Sequence, residues 1–336
     1  MWGGLHWPLS WLQFLKFFSG RLTTKIRFLY FLEDFLITIL PVLVNVAFLT
    51  LLERKILGLG QLRVGPNKVG VWGLLQPAAD AVKLFTNSLT TLGPMNKVIF
   101  FLRPAIRLLL SLVFATLISS TKGGPENILG LLILMMLLRL NVYPLFGAGW
   151  RSNRKYAIIG GLRGIAQTVA YEISLSFILV SLFLPSFITQ LTRASMPTIL
   201  TPILGFNSLA FTLWGLTVLA ELNRTPFDFA EGESELVSGF NIEYGSVKFA
   251  IVFMAEYAII FIFSVISVTI LLSLPLGSAL SGVAAILFSR GIILIRVTLP
   301  RFRYDLLMNT TWKKALPWRL GLCGLSSSYL LILNIL

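Results

Sequence analysis

The sequence predicts an all-α integral membrane protein with about eight transmembrane helices, one amphipathic helix and one folded acidic loop. Three observations carry this. Of 336 residues, 56% are hydrophobic and only 12% are charged, about half the charged fraction of a soluble domain. The mean hydropathy is +0.84. Apolar runs close to the length that crosses a bilayer recur along the whole chain. A soluble globular protein, a disordered chain and a collagen are excluded.

Residues 1–34 form an N-terminal extension. Its first 32 residues hold no acid, four bases (Lys16, Arg21, Lys25, Arg27) and several Trp and Phe, the composition of an interfacial tail, with an amphipathic helix or a transit peptide as alternatives. The membrane domain, 35–336, follows. Hydropathy in windows of about nineteen residues predicts spans at 35–52, 106–119, 128–146, 158–184, 203–220, 247–272, 276–295 and 320–336. Between the first two, 74–85 has the pattern of an amphipathic helix, with Asp80 and Lys83 on an otherwise apolar element. Gly60 and Gly65 are spaced as in a P-loop, but Pro66 and Asn67 stand where Lys and Ser or Thr are needed and no strand precedes them, so this is no nucleotide site.

Loop charges orient the bundle. The loops after spans one, three and seven hold Arg54, Lys55, Arg63, Lys68, Lys83, Lys97 and Arg103, then Arg151, Arg154 and Lys155, then Arg296, Arg301, Arg303, Lys313, Lys314 and Arg319. The opposite loops hold little beyond Lys122 and Arg193. Basic loops stay on the side of synthesis, so they face the cytoplasm or a mitochondrial matrix, and the even span count puts both termini on the other face. The net charge of +14 is therefore a topology signal, and no nucleic-acid partner is expected. One cysteine, Cys323, and one histidine, His6, leave too few ligands for a zinc, iron–sulfur or bis-histidine haem centre. No bound metal or nucleotide is expected in this chain.

Ionisable groups inside spans cost about 2.5–3.5 kcal/mol each on insertion scales, so each marks a candidate function. Glu256 lies about 13 Å into the sixth span. Glu172 lies in the fourth, nine residues after Arg163; nine residues turn about 900°, so the two point to opposite sides. Glu172 shares its face with Gly161, Ile165 and Thr168, which suits a hydrated path between helices, with pairing to an arginine on a neighbouring helix as the alternative. Arg139 sits near the end of the third span, where it can snorkel to the interface. From Glu221 to Glu243 the chain holds six of its 14 acids, namely Glu221, Asp228, Glu231, Glu233, Glu235 and Glu243. Pro226, Phe227, Phe229, Leu236 and Phe240 interleave them and are too apolar for a solvated segment. A folded or re-entrant loop lining a polar cavity is expected.

The stretches LLERKILGLGQLRVGPNKVG, GLLQPAADAVKLF, GWRSNRKYAIIGGLRGIAQTVAYE, LAELNRTPFDFAEGESELVSGFNIEYG, KFAIVFMAEY and RVTLPRFRYDLLM followed by WK resemble, in order over about residues 35–320, the subunit 1 family of proton-pumping NADH:ubiquinone oxidoreductase, respiratory complex I, of mitochondrial type. The resemblance implies a membrane subunit that, with the hydrophilic iron–sulfur-cluster and quinone-site subunits, encloses a chamber for ubiquinone, its substrate. Small membrane-arm subunits and lipid would be its other partners. Loops 53–103 and 221–246 would line the chamber. By position, Glu53, Arg54, Arg63, Asp80, Phe253, Arg296 and Arg301 match the chamber. Glu221, Arg224, Asp228, Glu231, Glu233 and Glu235 match the acidic loop beneath it, and Arg163, Glu172, Glu221 and Glu256 match a proton path. The implied compartment is the mitochondrial inner membrane, with a bacterial plasma membrane as the alternative.

The sequence departs from the family at Thr86, Asn87 and Ser88, where a Lys-Glu pair is usual, at Ala170, Leu306 and Arg139, and in the N-terminal extension. The residues taken without the resemblance leave two other classes open. A secondary transporter or channel would use the same buried acids, and a structural anchor would use none of them.

Overall fold

The computed structural model describes residues 36–88, 97–120, 128–152, 154–191, 203–230, 232, 239–241, 244–272 and 279–335. Among them the chain forms helices and turns and no strand. The helices are α1 (Leu36–Gly60), α2 (Gln76–Thr86), α3 (Lys97–Ser120), α4 (Ile128–Arg151), α5 (Lys155–Leu191), α6 (Ile203–Glu221), α7 (Ser246–Leu272), α8 (Ala279–Thr298), the short α9 (Tyr304–Asn309) and α10 (Leu316–Ile335). Each of the eight predicted spans falls on one of them, and the amphipathic segment is α2. By length and hydropathy six are competent to cross a membrane, namely α1, α3, α4, α5, α7 and α8. That count is of the described residues, and it does not confirm the expected eight crossings. The extension 1–34 lies outside the described residues.

Several helices run past their predicted ends, and for α1, α3 and α4 the reason is common. Hydropathy marks the apolar slab, whereas backbone hydrogen bonding carries a helix on through charged residues at its rim. So α1 continues beyond Leu52 to Gly60 and takes Glu53, Arg54 and Lys55 into the helix. Lys97 rather than Ile106 opens α3, which makes Arg103 a helical residue and not a loop one. The extension of α4 to Arg151 puts Arg139 at mid-helix and not near an end.

The longest helix, α5, is central, with α4, α6 and α10 against it; α3 joins α4 to α7, which also carries α8 and α2. Small residues set the closest approach. A Cβ on Gly149 of α4 would lie 2.7 Å from the Ala157 carbonyl and 3.1 Å from the Cα of Gly161 on α5, so these backbones meet where neither residue has a side chain. Polar side chains in the apolar layer are satisfied locally or across one contact. The hydroxyls of Thr168, Ser174 and Ser267 donate to carbonyls of the preceding turn. Trp214 Nε1 donates to Ser267 Oγ at 3.0 Å and ties α6 to α7. The main core cluster draws Val42, Val46, Leu49 and Ile56 from α1 together with residues of α3 to α8 and α10.

Candidate functional site

On α1 the inward stripe runs Val42, Val46, Leu49, Glu53, Ile56, spaced four, three, four and three residues. The same 3.6-residue periodicity that buries the apolar members therefore drives Glu53 into the core, where it is 4% exposed. Three groups meet its carboxylate. The Tyr257 hydroxyl of α7 donates to Oε2 at 2.5 Å, the Arg296 guanidinium of α8 donates to Oε1, and Arg224 Nη1 lies 3.6 Å away. Arg224 lies just beyond α6, stacks 4.7 Å over the Tyr257 ring and reaches Glu256 with Nη2 at 3.8 Å. Glu256 accepts a hydrogen bond of 3.0 Å from Arg107 of α3. Arg107 holds its place by the same logic as Glu53, in the buried series Phe100, Pro104, Arg107, Ser111, Phe114.

The result is an ionic chain in the order Arg296, Glu53, Arg224, Glu256, Arg107, drawn from α1, α3, α7, α8 and the segment after α6 and buried except at its outer end, where the Arg296 side chain is 32% exposed. Signs alternate along it. Burying any one of these charges alone costs several kcal/mol, so the arrangement is stable only as a set in which each charge has a partner. Beyond Arg107 lie two more acids. Glu221, the last residue of α6, is in electrostatic reach of both Arg107 and Glu172, and Glu172 of α5 feels Arg139 of α4. Each of these two carboxylates keeps a buried oxygen without a hydrogen-bond partner in the protein, an acceptor suited to water.

The segment after α6 is folded, as its apolar content requires. Residues 226–230 are all buried. Gln167 of α5 donates to the carbonyls of Ala220 at 2.9 Å and Phe227 at 2.8 Å. Arg301 pairs with Asp228 at 2.9 Å, the Phe302 amide donates to the Pro226 carbonyl at 3.1 Å, and Phe227 stacks on Phe302. The loop is thereby clamped to the chain between α8 and α9. Glu231, Glu233, Glu235 and Glu243 lie outside the described residues. Tyr244, before α7, stacks on Phe100. Burial holds its phenol well above the usual range, against the opposing pull of Arg103 and Arg107.

The loop after α1 is a separate, outer arrangement. Arg54 pairs with Asp80 at 2.5 Å, Gln76 donates to Asp80 at 3.0 Å, and Lys55 donates to the Trp72 carbonyl at 2.6 Å. Glycines shape the backbone here. Gly70 and Gly73 have φ of 75° and 72°, a region that favours glycine. Arg63 is exposed and donates to Gln61, apart from the ionic chain. Phe253 is half-buried against Phe249. Arg163 lies over the Tyr304 ring, on the side of α5 away from Glu172.

Arg107 and Tyr257 were missed from the sequence, and Arg319, expected in a basic loop, is instead a fully buried residue of α10 that lies over the Tyr171 ring. The available signal for Arg107 was its spacing of four from Arg103 inside an apolar run, which puts two cations on one helix face. Among the described residues no group of three or more His, Cys, Asp or Glu is placed to hold a metal ion.

The family model described as NADH dehydrogenase matches residues 34–326. Three relatives named NADH-ubiquinone oxidoreductase chain 1 show the same extent of likeness. That of Aedes aegypti is 45% identical over 298 residues, covering 85% of this chain and 91% of the relative. That of Coturnix japonica is 44% identical over 293 residues, covering 84% and 90%. That of Didelphis virginiana is 42% identical over 307 residues, covering 87% and 94%. With the match running through α1 and on into α10, and so through every residue of the ionic chain, this multi-helix membrane chain belongs to the NADH dehydrogenase family.

Proposed function

We propose that the chain is the membrane subunit of proton-pumping NADH:ubiquinone oxidoreductase, respiratory complex I, in the mitochondrial inner membrane. In this reading it walls the ubiquinone chamber and couples quinone reduction to proton movement. Glu53, Arg54, Arg63, Asp80, Phe253, Arg296 and Arg301 face the chamber. The loop of Glu221, Arg224, Asp228, Glu231, Glu233 and Glu235 lies beneath it, and Glu172, Glu221 and Glu256, with Arg163, form the proton path. Electrons come from the iron–sulfur clusters of neighbouring hydrophilic subunits.

The observation that supports this reading best is the ionic chain, which starts at the chamber residues Glu53 and Arg296 and ends at the path residue Glu256, with Glu221 and Glu172 beyond. Its members act on one another strongly. Two unit charges about 4 Å apart interact by about 4 kcal/mol at an effective dielectric of about 20, a factor of about a thousand in a protonation equilibrium. Quinone reduction consumes protons, and a change of charge at Glu53 alters what Arg224 offers Glu256. That in turn alters what Arg107 offers Glu221. The chain thus carries a change of charge from the chamber to the path with no large movement of backbone.

The test is Glu256→Gln and Glu172→Gln in the assembled complex, reconstituted in proteoliposomes. Proton translocation falls at least tenfold in each while the complex still assembles. Wild-type pumping in both variants overturns the reading. Proton or ion transport by this chain alone, in liposomes, would place it instead with transporters.

A further inference from the structure

Of the two arginines of α8, one is answered from within the chain and one is not. Arg296 meets Glu53. Arg290 is exposed on the opposite face of the helix, and among the described residues no carboxylate holds it. The inward face is made by Ser281, Ala285, Ser289, Ile292 and Ile293. The outward face carries Leu280, Val283, Leu287 and Leu294, all exposed, with Arg290 in their midst.

The depth of Arg290 makes this placement costly. With 20 residues, α8 is about 30 Å long, the thickness of the hydrocarbon core. Arg290 stands eight residues from Thr298 and eleven from Ala279, so it is about 12 Å inside the nearer end. Snorkelling serves arginines close to helix ends, whereas one this deep normally faces a bundle interior and a partner. Lipid phosphates lie outside the hydrocarbon core and do not answer it.

The spacing points to the occupant. Residues 280, 283, 287, 290 and 294 follow one another by three, four, three and four, the repeat with which one helix packs along another. Gly291, four residues after Leu287 and three before Leu294 and so beside this seam, has open space where a Cβ would be, and small residues let a neighbouring backbone come close. A single polar residue within such a seam sets register and choice of partner. A second copy of this chain packed symmetrically would bring Arg290 toward Arg290, which charge disfavours.

We infer that the outer face of α8 is the docking seam for a transmembrane helix of another subunit, and that this helix places an aspartate or glutamate opposite Arg290. The inference goes beyond the ubiquinone role and does not rest on it.

A photo-reactive amino acid at Val283, and separately at Leu294, tests the seam in the complex assembled in its own membrane with Arg290 intact. The expected product is an adduct with a second polypeptide, within an apolar segment that has Asp or Glu within about one turn of the labelled residue. Adducts only with phospholipid, only with another copy of this chain, or only with an acid-free segment overturn the inference. Arg290→Lys keeps the adduct, and Arg290→Leu lowers its yield by about tenfold; an unchanged yield with Arg290→Leu also overturns it. Where the leucine variant fails to accumulate, the map obtained with Arg290 intact decides.

Discussion

Two of the molecule's arginine–carboxylate pairs stand in opposite settings. Arg107 and Glu256 meet at 3.0 Å with side chains 7% and 9% exposed. Arg54 and Asp80 meet at 2.5 Å with side chains 50% and 34% exposed. The shorter contact is the weaker one. In water each member of the outer pair is solvated whether or not its partner is present, so their mutual attraction adds little. In the core each charge depends on the other, and losing one leaves the other stranded. Burial, rather than distance, decides what a pair is worth here.

Arg107→Ala probes the inner pair and has the largest expected effect. It leaves Glu256 with Arg224 alone, at 3.8 Å, and costs about 3–5 kcal/mol. The readout is the thermal inactivation midpoint of the purified complex, or loss of the assembled complex if stability falls below what assembly needs. Replacing both partners with methionine sharpens the comparison, because well-packed apolar substitutes for a buried pair are often neutral in stability. The double variant recovers thermal stability and still fails to pump. If it recovered both, the pair would be packing and nothing more. Tyr257→Phe is the next step down. It removes one hydroxyl donor from the Glu53 carboxylate and costs about 1.5–3 kcal/mol, the range for a hydrogen bond to a charged group. The same melting experiment reads it, and an unchanged midpoint would show that Arg296 and Arg224 satisfy Glu53 without Tyr257.

The two regions also differ in how far the sequence revealed them. The amphipathic pattern at 74–85 and the acid count between Glu221 and Glu243 are local signals, and both led to the right kind of structure where it is described. Each of the eight apolar runs likewise falls on a helix, although only six of those helices are long and apolar enough, as described, to cross a membrane. What periodicity does not encode is the partner. Arg107 and Glu256 are 149 positions apart, and Glu53 and Tyr257 are 204 apart, so nothing local links them. Hydropathy averaging also hid Arg107 in the apolar run from Phe100 to Leu117, and it cut α1 short at Leu52, just before the glutamate on which the site turns. Arg163 was grouped with Glu172 through resemblance. The turn geometry of α5 had already set them on opposite sides, and the structure keeps them apart.

In the outer region the backbone is under tighter constraint than the charges. Gly70 has φ of 75°, and the nearest atoms a Cβ there would meet belong to the Leu75 side chain, at 3.0 Å, which can move aside. Gly70→Ala is therefore mainly a conformational change, costing about 1–2 kcal/mol. It should appear as faster proteolysis between Gly65 and Leu75, with the inner pair's contribution to the melting midpoint unchanged. A fall in the midpoint as large as that of Arg107→Ala would mean that the two regions unfold as one.

The smallest expected effect is that of the outer pair itself. A double-mutant cycle with Arg54→Ala and Asp80→Ala should give a coupling of about 0.2–1 kcal/mol. That coupling should weaken as ionic strength rises, because the Debye length shortens from about 10 Å at 0.1 M to about 3 Å at 1 M. The inner pair, shielded from ions, shows no such salt dependence. If Arg54 and Asp80 line the chamber as proposed, each single variant changes the KM for a short-chain ubiquinone analogue while the melting midpoint stays within about 0.5 kcal/mol of wild type. A salt-independent coupling above that range would mean that a neighbouring subunit covers the pair in the complex. The contrast between the two regions would then belong to the isolated chain and not to the assembled enzyme.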